Sequence, residues 1–125
     1  MAPDRKIGRR RFGILVGRAL RRLPARFRDH LANVAVIIEE EPSPEDLAES
    51  GLAPGETLFG LYTGIPLTQR TTDYAMVLPD RITIFRRPLL EWCQSEEELV
   101  DEVRVTVLHE IGHYFGLSDE ELEKY

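Results

Sequence analysis

Apolar positions near the start of the chain recur at the three- and four-residue spacing of a helix. The recurrence starts at Phe12 and stops before Pro24, which cannot continue a helix, and arginines occupy the other faces. We therefore expect an amphipathic helix whose apolar stripe packs on a core. The stripe consists of Phe12, Leu15, Val16, Ala19, Leu20 and Leu23.

A second and longer amphipathic helix is expected between Ser95 and Gly116, close to the C-terminus. Ser95 and Glu98 match a capping box, and a glycine after the last apolar position suits the left-handed conformation that ends many helices. The apolar side of this helix is predicted to hold Leu99, Val103, Val107, Ile111 and Tyr114.

Three short apolar runs between the two helices predict β-strands, at residues 34–38, 58–63 and 81–86. The first run, VAVII, is rich in β-branched residues and is expected to be mostly buried. The connection 64–80 shows little periodicity. Together these patterns predict an α+β fold in which a small mixed sheet of about three to four strands packs on helices. Shorter helices are expected at residues 25–31, 44–49 and 119–124.

The length of 125 residues suffices for one domain. We expect residues 1–11 to be a basic, flexible tail and residues 12–125 to form the domain. No apolar run approaches the roughly 18 residues that a membrane-spanning helix needs, so no membrane span is expected. The single cysteine, Cys93, excludes an internal disulfide and favours a reducing, cytoplasmic location. Metal chemistry is then left to His, Asp and Glu.

The net charge of −6 conceals an uneven distribution. Residues 1–30 carry ten lysines and arginines and two acids, whereas the rest of the chain is strongly acidic. The basic segment could solvate one helix face, bind the acidic surface of its own chain, or bind an anionic partner. Nucleic-acid binding is disfavoured because the chain contains no nucleic-acid-binding motif.

The sequence HEIGH, at residues 109–113, carries the candidate chemistry. Its two histidines are four residues apart on the long helix, so both imidazoles can reach one ion. Glu110 follows the first histidine and can face a metal-bound water without binding the metal, as a general base must. We therefore expect one zinc ion per chain, bound by His109 and His113. The alternative is that both histidines face solvent without binding a metal, because either arrangement places them on the side of the helix opposite the apolar stripe.

Two further residues extend the motif to HExxHxxGxxD. Gly116 lets the chain leave the helix sharply, and Asp119 can then turn back as a third metal ligand. The alternative for Asp119 is a helix-start acid after the Ser118 cap, and one residue can serve in both ways. Glu120 or Glu121 could take its place as a ligand.

The HExxHxxGxxD motif resembles that of the zincin metallopeptidases, and its ligand spacing is similar to the metzincin branch. Residues 12–122 as a whole resemble the short bacterial zincin-like metallopeptidases, sometimes called minimal metalloproteases. The resemblance implies a single zincin-like α+β domain, zinc at His109 and His113, and Glu110 as the base. The sequence departs from the metzincins in two respects. Metzincins have a methionine turn after the third ligand, whereas both methionines here, Met1 and Met76, precede the motif. Metzincin domains are also usually longer, with a formed substrate cleft.

Two functions follow from these observations. The first is a zinc-dependent peptidase acting on a peptide or protein substrate. The second is a metal-stabilised binding module without catalysis, which would act through a protein partner. For the peptidase, residues 81–85 or 58–63 are expected to form the sheet edge to which an extended substrate adds. His30 is expected at the surface. The candidates for polarising the scissile carbonyl are Tyr62, Tyr74, Tyr114 and Tyr125.

Overall fold

The computed structural model describes residues 7–52, 57–64 and 79–125. These residues form an α+β fold in which a mixed sheet packs on helices, as predicted. In chain order the elements are α1 (Arg9–Arg21), α2 (Ala25–His30), a 3₁₀ turn (Leu31–Asn33), β1 (Val34–Glu39), α3 (Pro44–Ser50), β2 (Gly60–Thr63), β3 (Asp80–Phe85), α4 (Arg86–Trp92), α5 (Glu96–Tyr114) and α6 (Asp119–Leu122).

The sheet has the order β1-β3-β2, so β3 lies in its centre. β1 runs parallel to β3, and β2 runs antiparallel to it with Leu61 opposite Thr83. The expectation that residues 81–85 could receive a substrate strand is wrong, since β3 is paired on both sides. β1 is an edge strand, and its Val36 and Ile38 are more than one-third exposed, so the prediction of a mostly buried strand is also wrong.

The core lies between α1, α5 and one face of the sheet. The apolar stripe predicted for α1 is largely confirmed, because Phe12, Leu15 and Ala19 are fully buried. The stripe predicted for α5 is correct from Leu99 to Ile111, but Tyr114 is 49% exposed. Its ring lies against the ring of Tyr62 in β2 instead of entering the core. Within the described residues, no helix is long and apolar enough to cross a membrane.

α1 starts at Arg9, three residues earlier than the apolar stripe indicates. Ile7 is buried just before it, and its carbonyl accepts a hydrogen bond of 2.8 Å from Arg86 Nη2. Residues 1–6 of the expected tail lie outside the described residues.

Part of the basic segment binds the acidic surface of its own chain. Arg11 on α1 makes two hydrogen bonds to the Glu96 carboxylate, of 2.6 and 3.0 Å, and Arg22 approaches Glu97 to 2.7 Å. Both acids lie in the first turn of α5. The guanidinium groups lower the pKa of each of these carboxyls below its ordinary value.

Candidate active site

The two histidines of HEIGH lie on the exposed side of the C-terminal half of α5. Their rings are 6.0 Å apart between centroids and within 17° of parallel, one helical turn from each other. Val107 and Ile111 of the same helix segment are fully buried on the opposite side. The side chain of His113 is 51% exposed. The position predicted from the helical wheel is therefore the observed one.

A left-handed turn brings the chain back towards the histidines after α5. Gly116 has φ of 80°, and the Leu117 amide donates to the Gly112 carbonyl at 2.8 Å, which closes the end of the helix. Asp119 then opens α6, where Ser118 and Glu121 form a capping box. As a result Asp119 Oδ1 lies 2.7 Å from His113 Nε2.

Gly112 allows α5 and α6 to pack closely, because it leaves room for a side chain of α6. A Cβ at this position would overlap Leu122 Cδ2 of α6, and Leu122 is itself buried. The glycine inside HEIGH is therefore required for packing. It places α6, and with it Asp119, directly beside the histidines.

The donor types at this site fit a zinc ion, although the described residues do not gather a complete set. No three His, Cys, Asp or Glu side chains among them are close enough together to hold a metal. Asp119 Oδ1 and His113 Nε2 are 2.7 Å apart, which is a hydrogen-bond distance. A carboxylate that contacts a ligating histidine can bind the metal beside it or orient its ring. Glu121 is already engaged with Ser118.

Glu110 lies on a different side of α5, facing β2. The backbone N–H of Tyr62 donates to Glu110 Oε1 at 2.9 Å. Burial raises the pKa of Glu110 above its ordinary value, against the opposing effects of that N–H and of the two histidines. The close approach depends on Gly60, since a Cβ there would lie 2.8 Å from Thr106 Cγ2 of α5.

The register of β2 leaves one side of the strand facing away from the sheet. The Phe85 amide bonds to the Phe59 carbonyl at 2.9 Å, and Leu61 and Thr63 follow in the same register. Alternate residues of an antiparallel strand bond in opposite directions, so Gly60 and Tyr62 direct their main-chain groups to the outer side. That side adjoins Glu110.

A cluster of aromatic and polar side chains surrounds Tyr62, and the sequence predicts little of it. The Tyr62 hydroxyl donates to Asp80 Oδ2 at 2.7 Å and lies 3.0 Å from His30 Nε2. The Tyr114 ring lies 4.3 Å from the Tyr62 ring, and Phe115 contacts His30 edge-on. His30 is partly buried, so its expected surface position is wrong in detail.

The remaining residues singled out in the sequence lie away from this site, lie outside the described residues, or are chemically unreactive. Tyr125 packs on Phe27, with ring centroids 5.0 Å apart, and Tyr74 and Met76 lie outside the described residues. Cys93 is fully buried, and burial raises the pKa of its thiol to about 12, which rules out a thiolate nucleophile near neutral pH. Tyr62 and Tyr114 are thus the two candidate tyrosines seen close to Glu110.

Comparison with known proteins identifies related sequences and structures. The model of the family described as zincin-like metallopeptidase matches residues 31–125, which include the whole sheet, α5 and α6. Among solved structures, a conserved hypothetical protein from T. thermophilus is 26% identical. The alignment covers 87% of this chain and 94% of that protein, with a TM-score of 0.55. No curated protein matches.

Proposed function

The chain belongs to the zincin-like metallopeptidase family, and on that premise we propose that it is a zinc-dependent peptidase that hydrolyses peptide or protein substrates. One observation carries the proposal. The partly buried Glu110 lies between an edge strand and a helix face with two histidines, one of which already contacts Asp119. A general base, metal donors and a strand for a peptide are thereby adjacent.

Zinc would be held by His109, His113 and Asp119. When bound, it supplies Lewis acidity, which polarises a carbonyl and lowers the pKa of a water molecule to about 7. Asp119 is the carboxylate that contacts one of these histidines, His113. Asp119 is the first residue of α6, and the cap of that helix is formed by Ser118 and Glu121. The Asp119 carboxylate is therefore not needed to cap α6.

Glu110 would act as the base. Its carboxylate takes a proton from the water that attacks the peptide carbonyl, and it returns the proton to the leaving amine as the C–N bond breaks. The substrate would add to the outer side of β2, at the main-chain groups of Gly60 and the carbonyl of Tyr62, because the Tyr62 N–H is bonded to Glu110. Such an extended peptide would run past Glu110.

The test is the variant Glu110→Gln. We expect it to retain one zinc per chain and to lose hydrolysis of a fluorogenic peptide library by roughly 10²–10⁴-fold, as is typical when a general base is removed. Glu102→Gln is the matched control, because Glu102 lies on the same helix and burial also raises its pKa. It should hydrolyse peptides like the wild type. Equal activity of Glu110→Gln and wild type would contradict the assignment of the base.

The alternative of a metal-stabilised binding module gives a different result in the same experiment. It requires stoichiometric zinc in the wild type with no turnover of any peptide in the library. Retention of a protein partner by the zinc-loaded chain, lost on removal of zinc, would then favour the module over the peptidase.

A further inference from the structure

β2 is the shortest strand of the sheet described here, and it carries the main-chain contact to Glu110. It is four residues long and bonds through one side to β3. A short edge strand has few ladder hydrogen bonds, so its register and position need support from side chains. Tyr62, in the third position of β2, has that support from two other elements.

The first support is Asp80, the opening residue of β3. It is only 6% exposed, so its carboxylate has lost most of its contact with water and depends on protein donors. The Tyr62 hydroxyl donates to its Oδ2 at 2.7 Å. A hydrogen bond to a buried carboxylate is among the stronger kinds.

The second support is His30, at the end of α2. The single hydrogen of the Tyr62 hydroxyl is directed to Asp80, so the 3.0 Å contact to His30 Nε2 requires that nitrogen to carry the proton. The phenol oxygen is therefore an acceptor from His30 and a donor to Asp80. The Tyr114 ring, 4.3 Å away, restricts the phenol from a further side.

We propose that Tyr62 is a positioning residue for the base: Asp80 and His30 fix its side chain, and its backbone N–H thereby fixes the Glu110 carboxylate. Because the phenol is held in place, the Cα of Tyr62 is held as well. The backbone N–H of Tyr62 then keeps its direction toward Glu110 Oε1, 2.9 Å away. The catalytic part of this inference rests on the proposed peptidase function, whereas the structural part does not.

The test uses Tyr62→Phe, which keeps the ring and the N–H and removes both hydroxyl contacts. Tyr114→Phe is the matched control, because it removes a hydroxyl from the adjacent ring, for which no hydrogen bond is seen among the described residues. The first measurement is amide hydrogen exchange at residue 62 by NMR. We expect exchange in Tyr62→Phe to be at least about tenfold faster than in the wild type, and unchanged in Tyr114→Phe.

The second measurement separates kcat from KM for peptide hydrolysis by the zinc-loaded protein. Loss of positioning should lower kcat by roughly tenfold, and by more than it raises KM, because the main effect is on the base. Zinc content should remain one per chain. If the wild type hydrolyses no peptide, the proposed function fails, but the exchange measurement still decides whether Tyr62 is held as proposed.

Two results would overturn the inference. One is Tyr62→Phe behaving like Tyr114→Phe in amide exchange. The other is unchanged exchange at residue 62 in Glu110→Ala, since that variant removes the acceptor. Should Tyr62→Phe fail to fold, His30→Ala removes one of the two supports at a partly buried position. It should accelerate exchange at residue 62 in the same direction, and unchanged exchange there would also contradict the proposal.

Discussion

The two ends of α5 differ in what surrounds them. At the N-terminal end, Leu99 and Val103 are fully buried against the core, and acids of the first turn pair with Arg11 of α1 and with Arg22 just after it. At the C-terminal end, His113, Tyr114 and Phe115 are about half exposed. One helix therefore contributes apolar packing at its start and presents polar, reactive groups at its end.

The carboxylates at the two ends show the same contrast. Glu96 is partly exposed and paired with Arg11, and this pairing lowers its pKa. Glu110 is partly buried, bonded to a backbone N–H and not paired with an arginine among the described residues, and burial raises its pKa. Shifts caused by burial in a cleft are typical of functional groups, whereas paired surface acids contribute modest stability. Glu96 therefore has the environment of a structural carboxylate, whereas that of Glu110 suits the candidate base.

The largest effect is expected for Leu99→Ala at the packed end. Removing a fully buried leucine side chain from a core costs about 2–5 kcal/mol of unfolding free energy. Urea denaturation monitored by circular dichroism measures this loss. Zinc content of the folded variant should match the wild type, because the site lies at the other end of the helix. A loss below about 1 kcal/mol would contradict the assignment of this end to the core.

Gly112→Ala should affect both stability and the site. The new Cβ would overlap Leu122, so we expect a loss of about 1–3 kcal/mol and weaker zinc binding as α6 shifts with Asp119. The control is Gly17→Ala in α1, where the nearest atom to a new Cβ is the flexible end of Arg21 at 3.6 Å. That change should stabilise the protein by about 0.5–1 kcal/mol. Thermal melts and zinc titrations distinguish the two, and equal behaviour would refute the packing role of Gly112.

The smallest effect is expected for Glu96→Gln. The lowered pKa of Glu96 means that its ion pair stabilises the fold above the ordinary carboxyl pKa of 4.5 and ceases to do so as the pH falls through the lowered value. The variant should therefore melt slightly below the wild type at pH 7 and together with it in strong acid. High salt should also reduce the difference. Glu91→Gln, which removes a carboxylate with no ion pair among the described residues, is the control and should melt with the wild type at pH 7. A difference between Glu96→Gln and wild type that persists in strong acid would contradict this origin.

The sequence predicts those features of the fold that depend on near neighbours along the chain. The helical stripes, the His109–His113 spacing and the turn at Gly116 all arise within a few residues, so their periodicity is visible. The order of the strands depends on distant contacts. For that reason the exposed edge position of β1 was not predictable from its apolar run, which is typical of a buried strand.

The same reasoning explains what was missed at the site. Tyr62 is 32 residues from His30 and 48 from Glu110, and no local pattern connects them. Tyr62 stood as one of four tyrosine candidates, without the contacts that single it out. The role of Gly112 in admitting Leu122 was equally hidden, since the contact appears only when α6 folds back on α5.

Zinc content tests the central claim most directly. The proteins to compare are wild type, His113→Ala and His30→Ala, which changes the histidine outside the motif, each purified without chelators, given zinc and measured by elemental analysis. The account predicts one zinc per chain in wild type and in His30→Ala, and almost none in His113→Ala. Absence of zinc from the wild type, or its full retention in His113→Ala, would contradict a metal centre at the end of α5.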